Sequence, residues 1–272
     1  NFDWWKLATH TGNVQNYDLT INSGGEKLSA VFTGGVYKED GAVRGYDFTR
    51  YNTMMKLNFK PYSWIAIRPS FNGSKGVIDD RQRSTYSMYS MLPWDSPYDE
   101  EGKIVGNRSS SWVNSNSTNY LYELQYNWSK YDSYAFNGNF DFDIYLTDWL
   151  TFSSVNSYRW STHLDKSYAD PRTSGAEGKG RVSESTSTNT RRYTNQLLKA
   201  TRSFGDYHGF LMLGYEFNDG EYRYHSSDGT GLVPGFAQLD ITSTPESVGG
   251  NKYEWAVQSF FANLNADYAN KY

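Results

Sequence analysis

The sequence predicts an all-β chain: a portion of an antiparallel, up-and-down transmembrane β-barrel of about nine strands. Three observations predict it. Apolar and polar residues alternate with a period of two over unusually long stretches. Tight and long connections between those stretches alternate without exception. Aromatic residues make up 18% of the chain, with 24 Tyr, 15 Phe and 9 Trp, more than a soluble core needs and in keeping with the interfacial girdles of membrane barrels.

The elements follow in order. A period of two marks strands, because successive side chains leave a pleated backbone on opposite sides. The first runs over 14–22, with Tyr17, Leu19 and Ile21 in phase, and the second over 27–38, with Leu28, Ala30, Phe32 and Val36 in phase; Ser23-Gly24-Gly25 joins them as a hairpin signal. The third, 48–60, sets Tyr51, Met55, Leu57 and Phe59 against Arg50, Asn52, Lys56 and Asn58, and a turn containing Pro61 leads to the fourth, 64–73. The fifth, 134–146, is the clearest. Phe136, Phe140, Phe142, Ile144 and Leu146 lie on one face, and Asn137, Asn139, Asp141 and Asp143 on the other. It is long enough to supply the roughly 9–11 tilted residues that cross a bilayer. A turn at 147–149 returns the sixth strand, 150–160, in the same phase but for Ser154 and Asn156. The seventh, 192–203, and eighth, 207–217, flank Phe204-Gly205-Asp206, and the ninth, 255–268, places Phe260, Ala262, Leu264 and Tyr268 opposite Asn263, Asn265 and Asp267.

Links one-to-two, three-to-four, five-to-six and seven-to-eight are tight, whereas those between are longer, at 39–47, 74–132, 161–191 and 218–254. Short periplasmic turns at one end and long extracellular loops at the other are the asymmetry of outer-membrane barrels; Greek-key sandwiches mix the two. Residues 1–272 therefore read as one partial barrel domain with long extracellular loops at about 74–132, 161–191 and 218–254. Bacterial barrels close with an even strand count, so an odd number implies a piece of a larger barrel. One face would meet lipid and the other a polar lumen.

Composition narrows the function classes. With 26 Lys+Arg against 30 Asp+Glu the net charge is −4, which offers nothing to a phosphate backbone, so no nucleic-acid partner is expected. The absence of cysteine excludes disulfides and thiolate metal sites. No window approaches a transmembrane helix and no stretch reads as a signal peptide. A mean hydropathy of −0.74 does not exclude a barrel, whose strands give lipid only every second residue.

Particular phrases carry a resemblance. The opening DWWKLATHTGNVQNYDLTINSGGEKLSAVFTGGVYKEDGAVRGYDFTRYNTMMKLNF, residues 3–59, the loop phrase LPWDSPYDEEGKIV, residues 92–105, and SFFANLNADYANKY, residues 259–272, resemble SusC-like TonB-dependent outer-membrane transporters. Ala262, Asn263 and Ala266 depart from that pattern at barrel-wall positions. The resemblance implies strands two to ten of a barrel of about 22 strands, without the plug domain. It also implies import of oligosaccharides or oligopeptides driven through TonB, with a SusD-like surface lipoprotein as partner, in the bacterial outer membrane.

No catalytic pattern is present. His10, His163, His208 and His225 are scattered, with no zinc-protease spacing, and there is no nucleophile elbow or phosphate loop; no enzyme activity, cofactor or metal is expected. Asp141 and Asp143 read as lumen-facing carboxylates, and Asp99-Glu100-Glu101-Gly102 as a β-turn lacking the alternating ligands of a calcium loop. The loop 74–132 is the expected seat of function, because a connection that long is functional or disordered. Within it Trp94, Asp95, Tyr98, Asp99 and Trp112 are the candidate substrate-binding residues, rings to stack on a sugar and carboxylates to accept its hydroxyls; Tyr86 and Tyr89 add further rings. The lipid-facing wall is expected at Phe136, Phe140, Phe142, Ile144, Leu146, Phe260 and Leu264. Two other readings stay open: a soluble or surface-attached β-sheet carbohydrate-binding protein, whose apolar faces would pack against each other, and a passive porin or adhesin barrel.

Overall fold

A computed structural model describes residues 1–81, 85–106, 112–114, 118–173, 176 and 178–269. It is a single nine-stranded sheet in strict sequence order, every neighbouring pair antiparallel. The strands are β1 (Asn13–Gly24), β2 (Leu28–Asp40), β3 (Tyr46–Tyr62), β4 (Ile65–Asp80), β5 (Trp128–Tyr145), β6 (Leu150–Ala169), β7 (Arg181–Phe204), β8 (Tyr207–Thr230) and β9 (Thr244–Tyr268). Among the described residues three short α-helices, α1 (Trp4–Ala8), α2 (Thr85–Ser90) and α3 (Tyr120–Tyr126), and a 3-10 turn at Leu239–Ile241 accompany them.

The up-and-down order and the alternation of short and long links agree with the sequence, but the strand ends do not. The expected loops 74–132, 161–191 and 218–254 shrink to 81–127, 170–180 and 231–243, because β4 to β9 all run on past the apolar band. Beyond that band polar residues fill both faces, so alternation disappears while the hydrogen-bond ladder continues. Ser183-Glu184-Ser185-Thr186-Ser187-Thr188 pairs residue by residue with β6 and β8 all the same.

Register carries the apolar phase from strand to strand. Ile21 faces Phe32, Phe32 faces Met55, Met55 faces Phe71, Phe142 faces Ile67, Ile144 faces Phe152, and Leu211 faces Leu264. A slip of one residue would turn every one of these over. Proline is accommodated where the ladder breaks. The β3–β4 register passes from Lys56↔Ser70 to Phe59↔Ile67, skipping Pro69, which cannot donate, and shifts between Phe59 and Tyr62, where Pro61 lies. In β6 Asn156 interrupts the ladder to β5: its backbone N–H donates to Asp141 Oδ1 (3.2 Å) and its side-chain amide to the Phe140 carbonyl (2.8 Å).

The wall is one sheet thick and has no hydrophobic core of its own. The hydrophobic clusters that form, Trp4 with Met91 and Trp112, Ala8 with Met88 and Tyr120, and Tyr168 with Val182 and Leu232, all gather at the long-connection end. Every residue of β1 is exposed, as are nearly all of β9.

Candidate functional site

The polar face of the wall is built from positions one step out of phase with the apolar set. Asn52, Ser74, Ala135, Ser161 and Asn189 form one register row across β3 to β7. Met54, Asn72, Asn137, Arg159 and Arg191 form the next. Together the two rows line a hollow of about 520 Å³. Nearer the short turns, Arg68 pairs with Asp143 at 2.7 Å, Asn139 donates to Ser70 Oγ at 3.0 Å and Lys199 donates to Ser153 Oγ at 3.3 Å. Asp143 is thus neutralised by a neighbour and Asp141 accepts a backbone N–H, which leaves no free acid/base couple there.

The opposite face presents the expected wall residues together. Phe136, Phe140, Leu146, Phe260 and Leu264 are exposed, the last two 76% and 73%, while Phe142 and Ile144 are half-buried among the neighbouring rings Phe140 and Phe152. Aromatics rim this face at two levels. Beside the short turns lie the stacked pair Tyr62 and Trp64 (5.8 Å), Trp149, Phe204, and Tyr207 against Tyr268 (4.7 Å). Toward the other end lie Tyr17, Tyr51, Tyr158 and Trp160. Amphipathic rings of this kind settle where apolar and wet surroundings meet.

At the long-connection end a crown of loops closes over α1. Asp3 caps that helix by accepting the Lys6 N–H at 3.0 Å, and Trp4 meets Trp112 edge-on at 6.0 Å while its indole N–H donates to the Leu92 carbonyl. The five candidate residues share this crown but do not share a surface. Trp94 is 59% exposed, whereas Asp95 is 2% exposed and both its oxygens accept backbone N–H groups, from Val113 (2.9 Å) and Asn114 (3.1 Å). Trp112 is buried, its N–H donating to the Ser96 carbonyl. Asp95 and Trp112 are therefore struts of the loop with no surface to offer a ligand, a correction to the sequence reading. Tyr98 is half-buried near Phe2, and Asp99 opens the expected turn: the Gly102 N–H donates to its carbonyl at 3.1 Å and its carboxylate accepts from Glu101 and Lys103. The rings that do face outward are Trp94, Tyr86 and the stacked pair Trp5 and Tyr89 (5.3 Å).

One buried cluster escaped the sequence reading. Asp170 is fully buried between the loops 170–180 and 231–243, held by Arg172 (Nε 2.6 Å, Nη2 2.8 Å), the Tyr168 hydroxyl (2.9 Å) and the Gly235 N–H (3.0 Å). Burial opposes its charge, but these hydrogen bonds outweigh it and bring its pKa down to about 2. Arg172 also lies over the Tyr126 ring at 3.9 Å, tying α3 to the same point. The pattern Asp-Pro-Arg was the available signal; that Gly235 lies beside it only the fold reveals. Among the described residues no group of three or more His, Asp and Glu side chains could hold a metal ion.

No protein-family model matches the chain, and no curated protein sequence matches it. Solved structures do. The chain is similar to the RagAB peptide transporter with a TM-score of 0.80 and 15% identity, covering 98% of this chain and 32% of that one. The RagAB peptide importer in its open-open state gives 0.79 and 16%, over 98% and 31%. The unliganded ferric citrate transporter FecA gives 0.56 and 9%, over 97% and 34%. The chain spans about a third of the length of these structures. It has the fold of a part of a TonB-dependent transporter barrel, and the proteins sharing that fold here are transporters rather than enzymes.

Proposed function

We propose that this chain is part of the barrel wall of a TonB-dependent active transporter in a bacterial outer membrane, importing oligopeptides or oligosaccharides with a SusD-like surface lipoprotein over its mouth. The observation that carries the proposal is the two-faced wall. Its apolar face packs against no second layer among the described residues and is rimmed by aromatics at two levels, while its polar face carries hydrogen-bonded amides, hydroxyls and paired charges. An open sheet with such a face is an aggregation hazard in water; in lipid the same face is solvated, provided the edges are paired by further strands. The soluble sandwich reading requires two apolar faces in contact, and the described residues form a single sheet. Peptide cargo is favoured over sugar because RagAB, which gives the higher TM-scores of the reported matches, is named a peptide transporter and importer. The outward rings Trp94, Trp5 and Tyr89 are the surface offered to the lipoprotein or cargo.

The test is uptake by cells carrying the intact protein. Labelled oligopeptide or oligosaccharide should accumulate only with TonB present and the inner membrane energised. Accumulation that survives loss of TonB would identify a passive pore instead.

A further inference from the structure

We infer that the polar wall carries a carboxylate-binding site at Arg159 and Arg191, which takes cargo bearing a hydrogen-bond donor beside its carboxylate. The two arginines are direct register partners on β6 and β7, so their side chains leave the same face from backbones about 5 Å apart. Like charges so opposed destabilise a sheet. No neighbour cancels them. The flanking positions on that face are Asn137, Ser157, Ser161, Asn189, Tyr193 and Gly220, with no carboxylate among them. Arg191 donates to the neutral Asn218 Oδ1 at 3.0 Å and lies 5.4 Å from the Trp255 ring centroid, and the Arg159 side chain forms no hydrogen bond or ion pair with the described residues. Of the other described arginines, Arg68, Arg172, Arg192 and Arg223 each bond an Asp or Glu of the chain itself, while Arg44 donates to the Leu7 carbonyl and Arg50 and Arg202 lie over aromatic rings.

Arg159 and Arg191 both line the 520 Å³ hollow, as does Asn137, whose side-chain oxygen is buried without a partner among the described residues. Two arginines carried side by side on one lining match a carboxylate. The orphaned amide oxygen beside them asks for an N–H or O–H on the same ligand. A peptide C-terminus, with its last amide N–H next to the carboxylate, and a sugar acid, with its ring hydroxyl, share that chemistry. The inference rests on the importer reading only for the origin of the ligand.

The experiment uses the purified intact receptor and ligand-observed NMR with two matched pairs, N-acetylglycine against N-acetylglycinamide and galacturonate against galactose. In at least one pair the acid binds about tenfold or more tightly than its neutral twin, as expected of a charged hydrogen bond, and the pair that responds identifies the source. Arg159→Gln with Arg191→Gln removes the preference, and Arg159→Lys, which keeps charge but loses the fork, retains part of it. Because the substitutions relieve a like-charge contact, the ligand-free variant melts no lower than the parent. If neither acid outcompetes its twin, or the double variant keeps the preference, the inference is wrong. Uptake that depends on TonB but ignores the carboxylate defeats the site alone; carboxylate binding without dependence on TonB defeats the importer reading alone.

Discussion

Asp170 and Asp95 do at the residue scale what the wall cannot do for the loops, since each ties distant backbone together through a buried carboxylate. Asp170→Asn leaves the Arg172 guanidinium without its charge partner and should loosen loops 170–180 and 231–243 together by about 2 kcal/mol, seen as faster hydrogen exchange in both segments with the strands unaffected. Its pH dependence has a definite sign. The folded pKa, about 2, lies below the ordinary 3.8, so the tie is at full strength above about pH 4 and is lost as pH falls toward 2. Protection of Gly235 that holds at pH 3.8 and above but collapses near 2 is the expected profile. Asp95→Ala strands the Val113 and Asn114 N–H groups and should cost about 1–3 kcal/mol of crown stability, whereas Trp94→Ala, at an exposed ring, stays within about 0.5 kcal/mol. Thermal melts of the intact receptor separate the two.

The strands were legible in the sequence only where one face is apolar and the other polar. Between Phe136 and Leu146 ten residue steps of about 3.3 Å, tilted about 40°, span about 25 Å, and through that band alternation fixed strand, face and register alike. Beyond it, where Ser and Thr fill β6 and β7 on both faces, period-two reading stopped short although the ladder did not. The helices α1 to α3 were illegible for a different reason. None exceeds seven residues, too short for a helical period to emerge, and they stand because Trp4, Met88 and Tyr120 pack against one another's neighbours rather than by propensity. The candidate site divides likewise: alternation placed Asn137 and Asp143 on the polar face, but the opposition of Arg159 and Arg191 needed the β6–β7 register. A charge tests the face assignment. Phe140→Arg should cost about 2–4 kcal/mol in a bilayer and its neighbour Asn139→Arg close to nothing, measured by denaturant unfolding of the intact receptor from vesicles.

For the whole molecule the central point is that a nine-stranded sheet has been built without a core beneath it. In water, folding is driven by burying apolar surface; here that surface is turned outward, and under the proposed function lipid covers it. The most direct test places single cysteines at Phe140, Phe142 and Leu264, and at Asp141, Asp143 and Asn265, in the intact protein in outer membranes, and exposes each to an aqueous thiol reagent. Protection of the first three with labelling of the last three is the result expected of a lipid-facing wall. Equal labelling of both sets would contradict it.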